Sequence, residues 1–179
     1  RSFPAAGARH ATHLFNRMSS ITSRSPGVVG AVLESDAVAA EIICDGHHVH
    51  PSLVSMAIRM KSASRMMAIT DGTAVTGLPT GSQSRLGDQT IIAGEKTAVL
   101  ENGTLAGSIL TMDAAFRMLV TRLGLSLLDA ARMCATTPAA SIESADIGAI
   151  AAGRWADLTV LDRDLHVAHT YIGGEAAGN

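Results

Sequence analysis

Aromatic side chains are scarce in this chain: three Phe, one Trp and one Tyr among 179 residues, 3% of the total. A core must then be built from Ala, Val, Ile, Leu and Met, which carry most of the 47% hydrophobic content. Such side chains suit buried parallel strands and covering helices better than an all-β sandwich. Cysteine is equally sparse. Cys44 and Cys134 lie far apart inside apolar runs, which reads as two buried free thiols in a reducing compartment. Positive charge is not in excess, with 14 Lys and Arg against 16 Asp and Glu and a net charge of −2. That argues against nucleic acid or an acidic membrane surface as the main partner. No apolar stretch approaches the roughly 20 residues that cross a bilayer. The opening RSFPAAGARH has neither an apolar signal core nor an initiator Met, which predicts a cytoplasmic chain that starts inside a longer one. Repeats, low-complexity tracts and charged tails are absent from the sequence.

What is present is an alternation of short apolar strands with helical patterns. Strands are expected at 8–15, at 38–44 (VAAEIIC) and at 65–70, and helices at 28–34 and 51–63. Pro51 suits a first helical position, and Leu53, Val54, Ala57, Ile58 and Met60 recur at helical spacing. Strand, loop, helix, strand predicts parallel pairing through right-handed crossovers. Residues 73–90, rich in Gly, Thr and Ser, read as one long loop. TAVLENGTLAG reads as a hairpin turning at Asn102-Gly103. A helix is expected at 111–123 with Gly124 ending it. Ser126 and Asp129 make a capping box for another helix through Cys134, and Thr137-Pro138 opens a further short one. Short strands are expected at 157–161 and 167–172. The methionines 56, 60, 66, 67, 112, 118 and 133 are expected to fill the core, and Trp155 to pack between two domains.

His13, His48 and Asp71 each fall at or just past the C-terminal end of a predicted strand. In a parallel (β/α) barrel that rim collects catalytic residues, because the strand ends aim side chains into one mouth. A metal-ligating imidazole, a substrate-binding imidazole and a carboxylate base in that arrangement suggest metal-assisted hydrolysis. Each has a plainer reading. A lone His on a strand is more often a satisfied core side chain, Asp-Gly is a common turn pair, and a lone loop Arg is usually solvated.

The stretches ATHLFNRM (11–18), ITSRSPG (21–27), DGHH (45–48), ITDGT (69–73), NGTLAGS (102–108) and GAIAAGRWADLTVLD (148–162) change those odds. Through them the chain resembles the N-acetylglucosamine-6-phosphate deacetylases of the amidohydrolase superfamily over nearly all its length. The closing stretch is generic among amidohydrolases; THLFN, DGxH and LAGS in that order are far more specific. The resemblance implies an α/β fold: the C-terminal part of a (β/α)₈ TIM barrel with part of a small β-sandwich domain. Residues 1–149 would supply the last three βα units and 150–179 the C-terminal strands of the small domain. The family's upstream metal-binding Glu and first metal His have no counterpart in this sequence.

By the same resemblance His13 is a ligand of a divalent metal, Zn²⁺ ahead of Fe²⁺. Asp71 is the catalytic base that takes a proton from metal-bound water and passes it to the leaving amine. Arg24 and His48 bind a phosphate. Asp45, Gly46 and His47 belong to the same substrate-binding block, His47 at a position variable in the family and without a direct role. Asn16 and Arg17 match a pair that contacts the sugar, Arg17 standing where a small residue is usual. Leu105, Ala106 and Gly107 match a segment whose backbone meets the substrate, with glycine allowing close approach. His50 is expected to cap the helix at 51. The implied substrate is a small sugar phosphate, deacetylated in amino-sugar catabolism, and the implied assembly is a homodimer in which Arg24 serves the neighbouring subunit's phosphate site. Two other readings remain open: another amidohydrolase, of dihydroorotase or dipeptidase type, and an inactive fragment without the upstream metal ligands.

Overall fold

The computed structural model describes residues 6–178; positions 1–5, the start of the stretch read above for a signal core, lie outside them. Three strands, β1 (His10–Ala11), β2 (Ala39–Ile43) and β3 (Met66–Ile69), form a parallel sheet in that order. Helices α1 (Gly27–Glu34) and α2 (Pro51–Lys61) make the two crossovers. His50 caps α2 as expected, its Nδ1 accepting from the Ser52 amide at 3.2 Å, with Pro51 as the first helical residue. Val54, Ala57 and Lys61 form the buried stripe of α2. Lys61 is buried and, among the described residues, has no carboxylate partner. Its Nζ donates to the carbonyls of Val32, at 3.1 Å, and Ser35, satisfying the C-terminal end of α1.

Ala40, Ile42, Met66 and Ala68 of the sheet pack with Val29, Val32 and Leu33 of α1, Val54 and Ala57 of α2, and Leu119 and Met133 further on. Each large side chain so buried contributes about 1.5–3 kcal/mol. The helices covering the sheet's end are α3 (Met112–Arg117), α4 (Leu127–Ala131) and α5 (Thr137–Ser141). The first two each run on into a π-helical turn, 118–122 and 132–136. Ser126 caps α4 as expected, its Oγ accepting from the Asp129 amide at 3.1 Å. The Thr137 hydroxyl ties α5 to the start of β3 by donating to the Ala63 carbonyl at 2.7 Å. A final antiparallel sheet holds β8 (Leu158–Leu161), β9 (Val167–Ile172) and the unexpected β10 (Glu175–Ala176).

Four expectations need correction. The first strand is two residues long rather than eight: positive φ at His13, Phe15 and Arg17 makes turns of 12–17. The stretch 73–90 is not one loop, because β4 (Gln83–Leu86) and β5 (Gln89–Ala93) form a hairpin turning at Gly87-Asp88. That hairpin joins the expected one, β6 (Ala98–Leu100) and β7 (Leu105–Gly107), in a four-stranded meander around Val75, Ile91, Ala93 and Ala98. Met56, Met60 and Met112 are exposed, Met56 and Met60 lying one turn apart on α2 beside its buried stripe. Trp155 lines the cleft between α3–α4 and the last sheet but stays 64% exposed.

Candidate active site

Parallel strands end on one edge of their sheet, and here each of the three runs directly into a polar turn. After β1 the chain reverses through Thr12–Met18, with φ of 31° at His13, 78° at Phe15 and 58° at Arg17. Left-handed backbone at non-glycine residues costs about 1–3 kcal/mol each and persists only where the surroundings over-determine it. The determinants are visible. Leu14 is fully buried, its amide donates to the Glu41 carbonyl of β2 at 2.7 Å, and the Asn16 amide donates to the His13 carbonyl at 2.9 Å. The turn fixes the His13 imidazole with Nδ1 buried and, among the described residues, without a hydrogen-bond partner. Asn16 is half-buried, Arg17 exposed.

After β2 the Asp45–His48 turn closes on itself. Asp45 Oδ1 accepts the amides of His47 at 2.8 Å and His48 at 2.9 Å, and Oδ2 meets His48 Nδ1 at 2.5 Å. Burial pushes the Asp45 carboxyl up, but the two amides and the His48 ring outweigh it, and the net result lies below the usual value. Among the described residues His48 Nε2 is buried and unpartnered, while the His47 side chain is exposed. Gly46 has φ 73°, and a Cβ there would come within 2.8 Å of Arg122 Nη1.

After β3, Asp71 sits exposed at φ 48°. Its carbonyl accepts the Ser108 amide at 3.1 Å, and the Thr73 amide donates to the Ser108 carbonyl at 3.0 Å. A short parallel bridge, Gly72 to Ser108, thereby draws the Leu105–Gly107 segment against the Asp71 turn. Gly107 takes φ 135°, and a Cβ on it would meet Thr73 Cγ2 at 2.7 Å. The structure thus brings together Asp71 with Gly107, and Asp45 with His48. Leu105 is half exposed and Ala106 half-buried. Arg24 stands exposed on a turn clasped by Thr22 and Ser25, in no ion pair among the described residues.

Two residues escaped the sequence reading. Arg122 brings a guanidinium to the Gly46 backbone, and a cation in the last turn of a helical run carries no local mark of that. Ser108 is fully buried and locks the Asp71 turn, yet in sequence it reads as a small loop residue. A metal would find one prepared ligand, His13, whose orphaned buried nitrogen suits that role; no group of three or more His, Cys, Asp or Glu placed for a metal occurs among the described residues.

The sequence matches the Amidohydrolase family over residues 4–177, and the chain belongs to that family. It is 39% identical to the N-acetylgalactosamine-6-phosphate deacetylase of Shewanella sp. (strain ANA-3), over 95% of this chain and 43% of that protein. It is also 39% identical to the N-acetylglucosamine-6-phosphate deacetylase of Lysinibacillus sphaericus, over 94% of this chain and 43% of that one. Among solved structures, it superposes on an N-acetyl-D-glucosamine-6-phosphate deacetylase from Mycobacterium smegmatis, an aspartate-to-alanine mutant in complex with N-acetyl-D-glucosamine 6-phosphate. The TM-score is 0.91 and the identity 37%, covering 97% of this chain and 46% of the other. The chain therefore spans less than half the length of these relatives.

Proposed function

We propose that the protein to which this chain belongs hydrolyses the acetamide of N-acetylglucosamine 6-phosphate, releasing glucosamine 6-phosphate and acetate. The observation that carries this is the pair of buried, unpartnered imidazole nitrogens, on His13 and His48, in the turns that follow neighbouring parallel strands. A buried polar atom left unpaired costs about 1–3 kcal/mol; ligand contacts at the rim where such folds react their substrates would recover it.

His13 would be one ligand of a divalent metal, zinc or iron, with further ligands from outside the described residues. Such a metal supplies Lewis acidity to the acetyl carbonyl and brings the pKa of water towards neutrality. Asp71, exposed at the rim, is then the base that accepts the proton of the attacking water and delivers it to the departing amine. Arg24 and His48 hold the phosphate, Arg24 across the interface of a homodimer. Asn16 and Arg17 face the sugar, and the Leu105–Gly107 backbone forms its floor beside Asp71. A cytoplasmic setting suits this role, and no helix among the described residues is long and apolar enough to cross a membrane.

One observation favours the galacto epimer as an alternative substrate: a relative at 39% identity carries that name. Arg17, beside Asn16, is where such a choice would register. Acetate release measured side by side from the two N-acetylhexosamine 6-phosphates decides between them, and no release from either would refute the deacetylase reading. His13→Ala tests the metal ligand separately. Metal content and turnover should fall together, and unchanged metal stoichiometry would remove His13 from the site.

A further inference from the structure

The Asp45–His48 pair is more enclosed than substrate contact alone requires. The two side chains are only 5% and 4% exposed. Both oxygens of the carboxylate are engaged inside the turn, Oδ1 by two backbone amides and Oδ2 by the His48 ring. A carboxylate can only accept hydrogen bonds, so His48 Nδ1 must carry the proton it shares with Oδ2. The other ring nitrogen, Nε2, is buried and has no partner. A ring held by its Nδ1 against a fixed carboxylate has one free nitrogen and one orientation.

We propose that Asp45 is a positioning residue. With both carboxylate oxygens engaged inside the turn, it serves the substrate-binding block through His48 rather than by touching the substrate: it fixes the tautomer and direction of the ring and makes Nε2 the atom offered to the sugar phosphate. The Nδ1–H is committed to the carboxylate, so when the ring carries both protons it is Nε2–H that donates to the phosphate, as a charged donor. Charge-assisted bonds of this kind are about twice as strong as neutral ones. This rests on the proposed phosphate contact of His48 and adds the residue that prepares it.

The variant Asp45→Asn keeps the shape and reverses the hydrogen-bond logic. Its single side-chain oxygen stays on the two backbone amides, and its amide group then faces Nδ1. The ring answers by carrying its proton on Nε2 in neutral form. Ring-nitrogen NMR of the zinc-loaded, full-length protein reads this directly. The wild type should show His48 protonated at Nδ1, and Asp45→Asn should show it protonated at Nε2 alone. Affinity for the 6-phosphate sugar should fall about five- to tenfold in the variant, the difference between a charged and a neutral donor. The loss for unphosphorylated N-acetylglucosamine should be smaller, so the preference for the phosphorylated sugar narrows in the variant. A wild-type His48 protonated only at Nε2 overturns the proposal without any variant. So does a switched tautomer with unchanged phosphate affinity. His48→Ala separates the underlying reading: equal losses for both sugars would remove the phosphate contact of His48, while leaving the tautomer result standing.

Discussion

The Ser108 amide donates to the Asp71 carbonyl at 3.1 Å across 37 residues of chain. This contact, with the Thr73 amide returning to the Ser108 carbonyl at 3.0 Å, lays the end of the β-meander against the third strand-end turn. The meander is thereby more than an insertion between β3 and α3. It brings the Leu105–Gly107 segment to the backbone of the residue proposed as the base.

The junction is sensitive at Gly107. Its φ of 135° disfavours any side chain, and an added Cβ would come within 2.7 Å of Thr73 Cγ2 and 3.6 Å of the Asp71 carbonyl. Gly107→Ala should cost about 1–3 kcal/mol of stability through backbone strain, and activity should fall further than stability because the Asp71 turn shifts. Chemical denaturation and a turnover assay on the folded variant measure the two. Unchanged turnover in the variant would show that the Leu105–Gly107 segment does not position the base.

Asp71→Asn is expected to leave substrate binding intact and to lower turnover by roughly two to four orders of magnitude, the usual scale of acid–base catalysis. The Asp71 carboxylate is exposed, and it is the Asp71 carbonyl that holds Ser108, so the substitution should leave the fold unchanged. Near-normal turnover in the variant would assign the proton transfer elsewhere.

Arg24→Ala should weaken the 6-phosphate sugar by about 1.5–3 kcal/mol, the worth of a hydrogen bond to a charged group, with little effect on plain N-acetylglucosamine. Calorimetry with both sugars makes the comparison. Equal losses for the two would show that Arg24 does not read phosphate.

Much of this was legible in the sequence, for identifiable reasons. Strands β2 and β3 and helix α2 announce themselves because buried apolar runs are bounded by Asp-Gly turns and by Pro51. The capping roles of His50 and Ser126 follow from local chemistry that needs no tertiary information. The first strand is shorter than the apolar texture of THLFNRM suggests, because its turns are imposed by the burial of Leu14 and its bond to β2. The β4–β5 hairpin stayed hidden because Gln83–Leu86 is polar and mostly exposed, so no alternation marks it. Ser108 and Arg122 matter only through partners distant in sequence, and local pattern holds no trace of such pairings.

The two thiols give the fold a dependence on alkaline pH. Burial pushes Cys44 up to about 12 from 9.0, with Cys134 and Asp45 adding to the shift, and burial alone raises Cys134 to about 11. A raised folded value means that the unfolded chain loses these protons first. Stability from both groups is therefore fully present below pH 9.0 and is lost as pH rises towards 11 and 12. Each unit of difference is worth about 1.4 kcal/mol per group. Denaturation midpoints should hold steady up to about pH 9 and decline above it, and Cys44→Ala should flatten the decline. The same protonated, enclosed thiols should resist alkylation in the native protein at mildly alkaline pH and react once it is unfolded. Rapid native-state modification of Cys44, or a decline of equal slope in Cys44→Ala, would place that side chain outside the core between the sheet and its helices.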